Sequence, residues 1–102
     1  MSAVTTKVTI SLTHRIRQGT LVVSLDGASI FNEQFSKARF AISQKTTWDP
    51  VEVRAGKHTL RAKVIGQDGS TYFSELYTVE LPPSETALQI KIKGDKLVVQ
   101  QS

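Results

Sequence analysis

Apolar and polar residues alternate along much of this sequence. In residues 4–14 the even positions are mostly apolar, and the odd positions are threonine, serine or lysine. Residues 58–65 and 87–93 repeat this pattern. A period of two is typical of a β-strand with one buried side and one solvent-facing side. The apolar positions of these strands predict a core that contains Val8, Ile10, Leu12, Leu60, Val64, Leu88, Ile90 and Ile92.

Turn-forming residues separate the alternating segments. Asp26-Gly27 favours the left-handed backbone of a tight hairpin, Pro82-Pro83 ends a strand because proline lacks an amide donor, and Gly94-Asp95 is typical of a second hairpin. The predicted strands are residues 4–14, 20–25, 28–35, 37–42, 51–53, 58–65, 71–81, 87–93 and 96–100. No segment carries a helical stripe of apolar residues. We therefore predict one all-β domain over residues 1–102, an antiparallel two-sheet sandwich of about seven to nine strands.

The segment between residues 20 and 50 has a less regular pattern. A two-residue turn at Asp26-Gly27 pairs Leu25 with Ala28, Val23 with Ile30, and Val22 with Phe31. Apolar residues then lie on both sides of residues 28–35, so the pattern leaves open which side is buried. Residues 37–42 predict a weaker strand with Ala38, Phe40 and Ile42 on one side, and residues 44–50 predict a loop.

The composition is that of an ordinary globular protein. Hydrophobic residues make up 39% of the chain and charged residues 22%, which disfavours disorder. The absence of cysteine excludes disulfides and cysteine-based zinc sites. No apolar stretch approaches the length of a membrane span, and the first residues lack the apolar core of a signal peptide. We expect either a cytoplasmic protein or a domain of a longer exported chain from the cell envelope or the secreted fraction.

Residues 51–64 resemble the middle of bacterial immunoglobulin-like and fibronectin-III-like modules. Those modules often carry a Gly-x-His-Thr-Leu stretch at the start of a core strand, present here as Gly56-Lys57-His58-Thr59-Leu60. An Asp-Gly turn then follows, and residues 19–27 resemble the strand and hairpin that open such modules. The resemblance implies an immunoglobulin-like sandwich that serves as a spacer, an adhesive unit or an accessory domain. It implies no shared catalytic residues.

The residue types that carry out catalysis or bind metals do not form a recognisable motif. His14 and His58 are the only histidines, and no Gly-x-Ser-x-Gly elbow accompanies them. Asp26, Asp49, Asp68 and Asp95 lie at turns, and turn geometry explains the Asp-Gly and Gly-Asp pairs without a calcium loop. We therefore expect no catalytic residue, no metal site and no cofactor.

Two groups of residues are candidates for ligand binding. Trp48 lies in a predicted loop beside threonines, where it forms either a platform for a sugar or a plug at one end of the sandwich. Tyr72 lies on a strand side that is either core or exposed. Arg61 and Lys63 share one strand side, as do Lys91 and Lys93. If these strands belong to one sheet, they form a basic patch for a polyanion; the alternative is that the lysines serve solubility and protect sheet edges.

The net charge of +4 gives a mild attraction to polyanions but is too small to indicate nucleic-acid binding by itself. The leading hypothesis is a non-catalytic structural or interaction module whose partners are proteins or neighbouring domains. The alternative is a ligand-binding module for carbohydrate, through Trp48, or for a polyanion, through the basic sheet face with Tyr72 nearby.

Overall fold

The structure, a computed structural model, describes residues 4–101 as a β-protein. Strands hold 71% of the described residues, and no helix occurs among them. The ten strands are β1 (Thr5–His14), β2 (Gln18–Leu25), β3 (Ala28–Ser36), β4 (Gln44–Thr47), β5 (Val51–Arg54), β6 (Gly56–Gly66), β7 (Thr71–Ser74), β8 (Tyr77–Leu81), β9 (Glu85–Lys93) and β10 (Lys96–Gln101). The all-β prediction is confirmed.

All ten strands belong to one hydrogen-bonded sheet. Its order is β3-β2-β6-β7-β10-β9-β1-β4, with β5 also paired to β1 and β8 also paired to β6. The sheet curls until it is nearly barrel-shaped. The prediction of two purely antiparallel sheets is wrong, because β1 runs parallel to β9 and β7 runs parallel to β10. The alternating pattern shows which residues face inward but not which strand lies beside which, so the mixed order was not predictable from it.

The core follows the inward positions of the long strands. Seven of the eight predicted core residues are buried, and Ile92 is partly buried against them. The predicted orientation of β1, β6 and β9 is therefore confirmed. The remaining buried apolar residues are Leu21, Val23, Leu25, Phe31, Phe35, Ala62, Val79, Leu81 and Leu97.

The β2–β3 hairpin decides which side of β3 is buried. Asp26 (φ 52°) and Gly27 (φ 84°) both have left-handed backbone conformations, as a two-residue turn of this hand requires. Leu25 pairs with Ala28 as predicted, but a β-bulge shifts the register so that Val23 pairs with Phe31. The predicted partners of Val23 and Val22 are therefore off by one residue. The extra residue of the bulge turns Phe31 and Phe35 into the core.

The chain after β3 departs from the predicted pattern. Residues 37–42 form an exposed loop instead of a strand, and Phe40 and Ile42 are 92% and 82% exposed. The loop closes on itself, with the Ala41 amide donating to the Ala38 carbonyl over 3.1 Å. Part of the predicted loop 44–50 is instead strand β4, which pairs with the last four residues of β1. Residues 44–47 form a strand because β1 is available as a pairing partner. The local alternation of apolar and polar residues does not reveal such a partner.

The predicted strand 71–81 is divided into two. β7 pairs with the second half of β6, and β8 pairs with its first half. At the division, the buried Ser74 hydroxyl accepts the Ala62 amide over 2.8 Å and donates to the Glu75 carbonyl over 2.8 Å. Residues 75 and 76 leave the sheet, so even positions face inward before the break and odd positions after it.

Truncation of Leu60 tests the inward side of β6. Leu60 is 0% exposed, so Leu60→Ala should lower the free energy of unfolding by about 2–5 kcal/mol through lost burial and a cavity. Leu76→Ala is the matched control, because Leu76 is 60% exposed and should change stability by about 0.5 kcal/mol or less. Urea denaturation of both variants measures the difference; equal losses would contradict the orientation of β6.

Candidate functional site

His58 and Asp26 form a side-chain link at one end of the molecule. Asp26 sits in the β2–β3 turn, and His58 sits near the start of β6. The His58 Nδ1 lies 2.6 Å from the Asp26 carboxylate, and its Nε2 lies 2.7 Å from the Arg54 carbonyl. The other carboxylate oxygen of Asp26 accepts the Thr59 amide over 2.9 Å. The aspartate therefore anchors the hairpin to β6.

Both ring nitrogens of His58 face hydrogen-bond acceptors, so the arrangement favours the protonated imidazolium, which donates from both nitrogens. The hydrogen bond to Asp26 raises the pKa of His58. The hydrogen bond from the Thr59 amide lowers the pKa of Asp26 most, and the hydrogen bond from His58 lowers it further. Because neither nitrogen is free to take a proton from a substrate, the geometry makes His58 a structural link between strands.

His14 lies at the opposite end of the molecule and is 1% exposed. It is the last residue of β1, as the predicted strand of residues 4–14 has it. Its Nδ1 donates to the Ile16 carbonyl over 2.9 Å, and its ring packs against Phe35 with a centroid separation of 4.3 Å. Its Nε2 is buried with no hydrogen-bond partner in the described chain. Burial, together with the charge of Lys37, lowers the pKa of His14.

Trp48 follows β4 and packs against the core. Its ring meets Phe31 edge to face at a centroid separation of 5.1 Å and an interplanar angle of 74°. Its amide donates to the Ile10 carbonyl over 3.1 Å. The side chain is partly buried and packs against the core. This packing favours the alternative in which Trp48 covers part of the core.

The basic residues lie on one outward surface of four adjacent strands. Lys63 of β6 pairs with Phe73 of β7, Phe73 pairs with Lys96 of β10, and Lys96 pairs with Lys93 of β9. Residues paired across a sheet point to the same side, so these side chains form one outward row. Arg61 and Lys91 lie two residues along their strands from this row and point the same way. We define the basic face as Arg61, Lys63, Phe73, Lys91, Lys93 and Lys96.

The structure thus joins the two predicted pairs of cations and adds two residues between them. Phe73 and Lys96 were missed, although the turn at Gly94-Asp95 already placed Lys96 opposite Lys93. Phe73 is 49% exposed, and the Lys63 ammonium lies 5.5 Å from its ring centroid. Tyr72 points to the other side of β7 and packs against the core, so it is not the exposed aromatic of the basic face.

The remaining candidates have local explanations. The Asp68 carboxylate accepts the Ser70 amide over 3.0 Å, which lowers the pKa of Asp68 and stabilises its turn. Within residues 4–101, no group of three histidine, aspartate or glutamate side chains is placed to hold a metal ion. The same residues contain no helix long and apolar enough to cross a membrane.

Comparison with known proteins adds no family to this description. No protein-family model, curated protein or solved structure matches the chain. The function is therefore argued from the geometry alone.

Trp48 fluorescence tests the packing of the indole. We expect an emission maximum blue-shifted from that of free tryptophan and reduced quenching by acrylamide, because one edge of the indole is covered. Phe31→Leu should shift the emission toward that of exposed indole, since it removes the ring that Trp48 contacts. A water-like maximum in the unaltered protein would restore Trp48 as a sugar platform.

Titration of His58 tests the link to Asp26. Asp26→Asn keeps an acceptor for the Thr59 amide but removes the charge, so the pKa of His58 should fall toward its ordinary value of about 6.5. A histidine whose pKa is raised by folding stabilises the folded protein at pH values below its unfolded pKa. This stabilisation is lost as the pH rises through the pKa of the folded state. An aspartate whose pKa is lowered by folding stabilises the folded protein at pH values above its unfolded pKa. The difference in unfolding free energy between the unaltered protein and Asp26→Asn should therefore be largest at about pH 4–6.5.

NMR of the two histidine rings measures this titration, and His14 serves as the internal control because it lies at the other end of the molecule. An unchanged pKa of His58 in Asp26→Asn would show that the carboxylate does not hold the imidazolium.

Proposed function

We propose that this chain is a non-catalytic binding module that holds single-stranded nucleic acid on the basic face. The observation that carries the proposal is the in-register row of Lys63, Phe73, Lys96 and Lys93 across four strands. Such a row spans three strand spacings, roughly 14 Å, which matches several phosphates of an extended strand.

The position of the row argues against the alternative that its lysines serve to protect the edges of the sheet. The strands with a free edge are β3, β4, β5 and β8, each of which pairs with one other strand, whereas β6, β7, β10 and β9 each have neighbours on both sides. Lysines that discourage aggregation are expected at edges. The lysines of the row therefore serve a different purpose.

The row also places like charges together. Lys93 and Lys96 are direct cross-strand partners, an arrangement that destabilises a sheet. The five basic side chains of the basic face form no ion pair within residues 4–101. A polyanion would neutralise this cluster, which supports binding as the reason for the arrangement.

Phe73 favours single-stranded nucleic acid among polyanions. Its half-exposed ring lies in the middle of the row with Lys63 against it. Exposed aromatics that alternate with cations form stacking platforms for unpaired bases, because every base has a flat face that can lie on the ring.

A second candidate function is docking to a protein partner, the leading hypothesis from the sequence. The observation that favours it is the loop of residues 37–43, in which Phe40 and Ile42 are almost fully exposed. The loop is ordered by its own contacts: the Lys37 ammonium donates to the Ala41 carbonyl, and the Ala38 amide donates to the Gln44 side chain over 2.6 Å. Exposed apolar side chains on such a loop are typical of contact points.

The module is proposed to be non-catalytic because His58 has no free ring nitrogen, and His14 is buried with one nitrogen already bonded. The immunoglobulin-like or fibronectin-III-like affiliation is likewise a proposal. Its support is that β7 alone joins two groups of strands, β3-β2-β6-β8 and β10-β9-β1 with β4 and β5, which would be the two layers of a sandwich.

Binding of a fluorescent oligothymidylate tests the proposed function. We expect affinity to fall steeply with salt, and Lys63→Ala or Lys96→Ala to reduce the slope of log K against log salt by about 0.7 each. Phe73→Ala should lower affinity by about 1–3 kcal/mol, the contribution of one stacked base, with little change in slope. Fluorescence polarisation measures both quantities.

Lys57→Ala is the matched control, since it removes the same charge from β6 at roughly 20 Å from Lys63. Equal losses in Lys57→Ala and Lys63→Ala would show attraction by net charge alone and contradict a defined face. Binding of heparin with the same dependence on Lys63, but no binding of oligothymidylate, would replace the nucleic acid by a sulfated polysaccharide.

A further inference from the structure

Four of the connections between strands lie together at the end of the molecule that holds His14. They are residues 15–17, 37–43, 67–70 and 94–95, and we call them the end loops. The Lys37 amide donates to the Arg17 carbonyl over 2.8 Å, and the Gln67 amide donates to the Gln18 carbonyl over 2.9 Å. The hairpin at residues 94–95 reaches the same end because β9 runs parallel to β1. Loops that are distant in the sequence therefore form one surface.

The end loops carry more cations than carboxylates. Their cations are Arg15, Arg17, Lys37 and Arg39, and their carboxylates are Asp68 and Asp95. All three arginines are exposed. By contrast, the connections at the opposite end, residues 26–27, 55 and 82–84, hold one charged residue, Asp26. The end loops thus form a surface with an excess of positive charge.

Two apolar side chains project from the longest of the end loops. Phe40 is 92% exposed and Ile42 is 82% exposed, the highest values among the large apolar side chains of residues 4–101. Arg39 and Phe40 are the central residues of a turn that the bond from the Ala41 amide to the Ala38 carbonyl closes. The Arg39 guanidinium lies 5.6 Å from the Phe40 ring centroid. The loop therefore presents an apolar tip with a cation beside it.

We infer that the end loops bind the surface of a bilayer that contains anionic lipids, with Phe40 and Ile42 inserted among the headgroups. Peripheral proteins bind such surfaces through apolar side chains at headgroup depth and through cations that anionic lipids attract. A long side chain such as that of Arg39 can lie along the apolar layer while its charged group stays in water. The inference goes beyond the proposed function, because no residue of the end loops belongs to the basic face.

A lipid surface fits the end loops better than a protein partner does. A protein interface of standard size buries about 800 Å² on each partner around a close-packed apolar centre, whereas a bilayer requires no matching shape. The apolar tip consists of two side chains that stand apart from the core. Residues 34–48 around it contain Lys37, Arg39 and Lys45 and no carboxylate. This composition suits a surface of uniform negative charge.

The loop of residues 37–43 is already ordered before it meets a partner. The Ala38 amide donates to the Gln44 side chain over 2.6 Å, and the Lys37 ammonium donates to the Ala41 carbonyl. Polar backbone groups without partners are costly near the apolar layer of a bilayer, and these bonds satisfy groups next to the tip. Because the bonds also hold the turn in place, little conformational freedom is lost on binding.

Co-sedimentation with vesicles tests the inference. We expect the protein to bind vesicles made of equal parts of phosphatidylcholine and phosphatidylglycerol, to bind phosphatidylcholine vesicles weakly, and to lose affinity as salt screens its cations. Phe40→Ala should weaken binding about tenfold or more, because it removes a ring that the headgroup layer covers. Arg39→Ala should weaken binding about fivefold, the effect of one cation near an anionic surface.

The chain offers a matched control for each substitution. Leu76 is an exposed apolar residue outside the end loops, and Lys57 lies near the start of β6 at the opposite end. Leu76→Ala and Lys57→Ala should therefore leave vesicle binding nearly unchanged. Phe40→Trp reports the position of the tip: the emission of the added indole should shift to the blue on anionic vesicles, whereas the emission of Trp48 in the unaltered protein should not move.

Three results with lipid would overturn the inference: no binding to the mixed vesicles, full binding in Phe40→Ala, or equal losses in Lys57→Ala and Arg39→Ala. The first would leave the loop to a protein partner, and the last would show attraction by net charge alone. Self-association that Phe40→Ala abolishes, measured without lipid by analytical ultracentrifugation, would assign the tip to a second copy of the chain and also overturn it.

Two variants separate this inference from the proposed function. Lys63→Ala should weaken the binding of oligothymidylate and leave vesicle binding unchanged, because Lys63 lies outside the end loops. Phe40→Ala should do the reverse, because Phe40 lies outside the basic face. A failure of vesicle binding therefore leaves the oligothymidylate test unaffected, and the two proposals fail separately.

Discussion

β7 is the strand that connects the two halves of the sheet in its hydrogen-bonded order. β7 is only four residues long, yet it pairs antiparallel with β6 and parallel with β10. β7 can pair with both neighbours because the chain leaves β6 at residue 75. At this point the Ser74 hydroxyl, instead of a backbone carbonyl, accepts the hydrogen bond of the Ala62 amide. Parallel pairing of such a short strand is weak by itself, so its stability depends on the long strands beside it.

The basic face is a consequence of that pairing. β6 and β9 are separated by two strands in the sheet order, and their basic residues would remain two separate pairs without those strands. β7 supplies Phe73 and β10 supplies Lys96, which turn the two pairs into one continuous row. The register of β7 against β6 places Tyr72 beside the buried Val64 and Phe73 beside the outward Lys63, so Phe73 is the aromatic on the surface.

The sequence predicted the parts of the fold that depend on local alternation. The inward residues of β1, β6 and β9 and the turn at Asp26-Gly27 follow from period-two patterning and from left-handed turn geometry, both of which act within a few residues. The bulge that turns Phe31 inward, the strand at residues 44–47 and the parallel neighbours depend on partners distant in the chain. Of the basic face, the two pairs Arg61 with Lys63 and Lys91 with Lys93 were predicted because they sit on regular strands, whereas Phe73 required knowledge of where the strand breaks.

The two histidines show why residue type alone did not identify a site. They lie at opposite ends of the molecule, separated by the length of β2, roughly 25 Å. His58 faces a carboxylate and a carbonyl, which satisfy both nitrogens and favour its charged form. His14 faces one carbonyl and an aromatic ring, which satisfy one nitrogen; burial, together with the charge of Lys37, favours its neutral form. The histidine within the recognisable Gly-x-His-Thr-Leu stretch is thus the structural one, and the histidine outside any motif is the one whose chemistry is left unused by the fold.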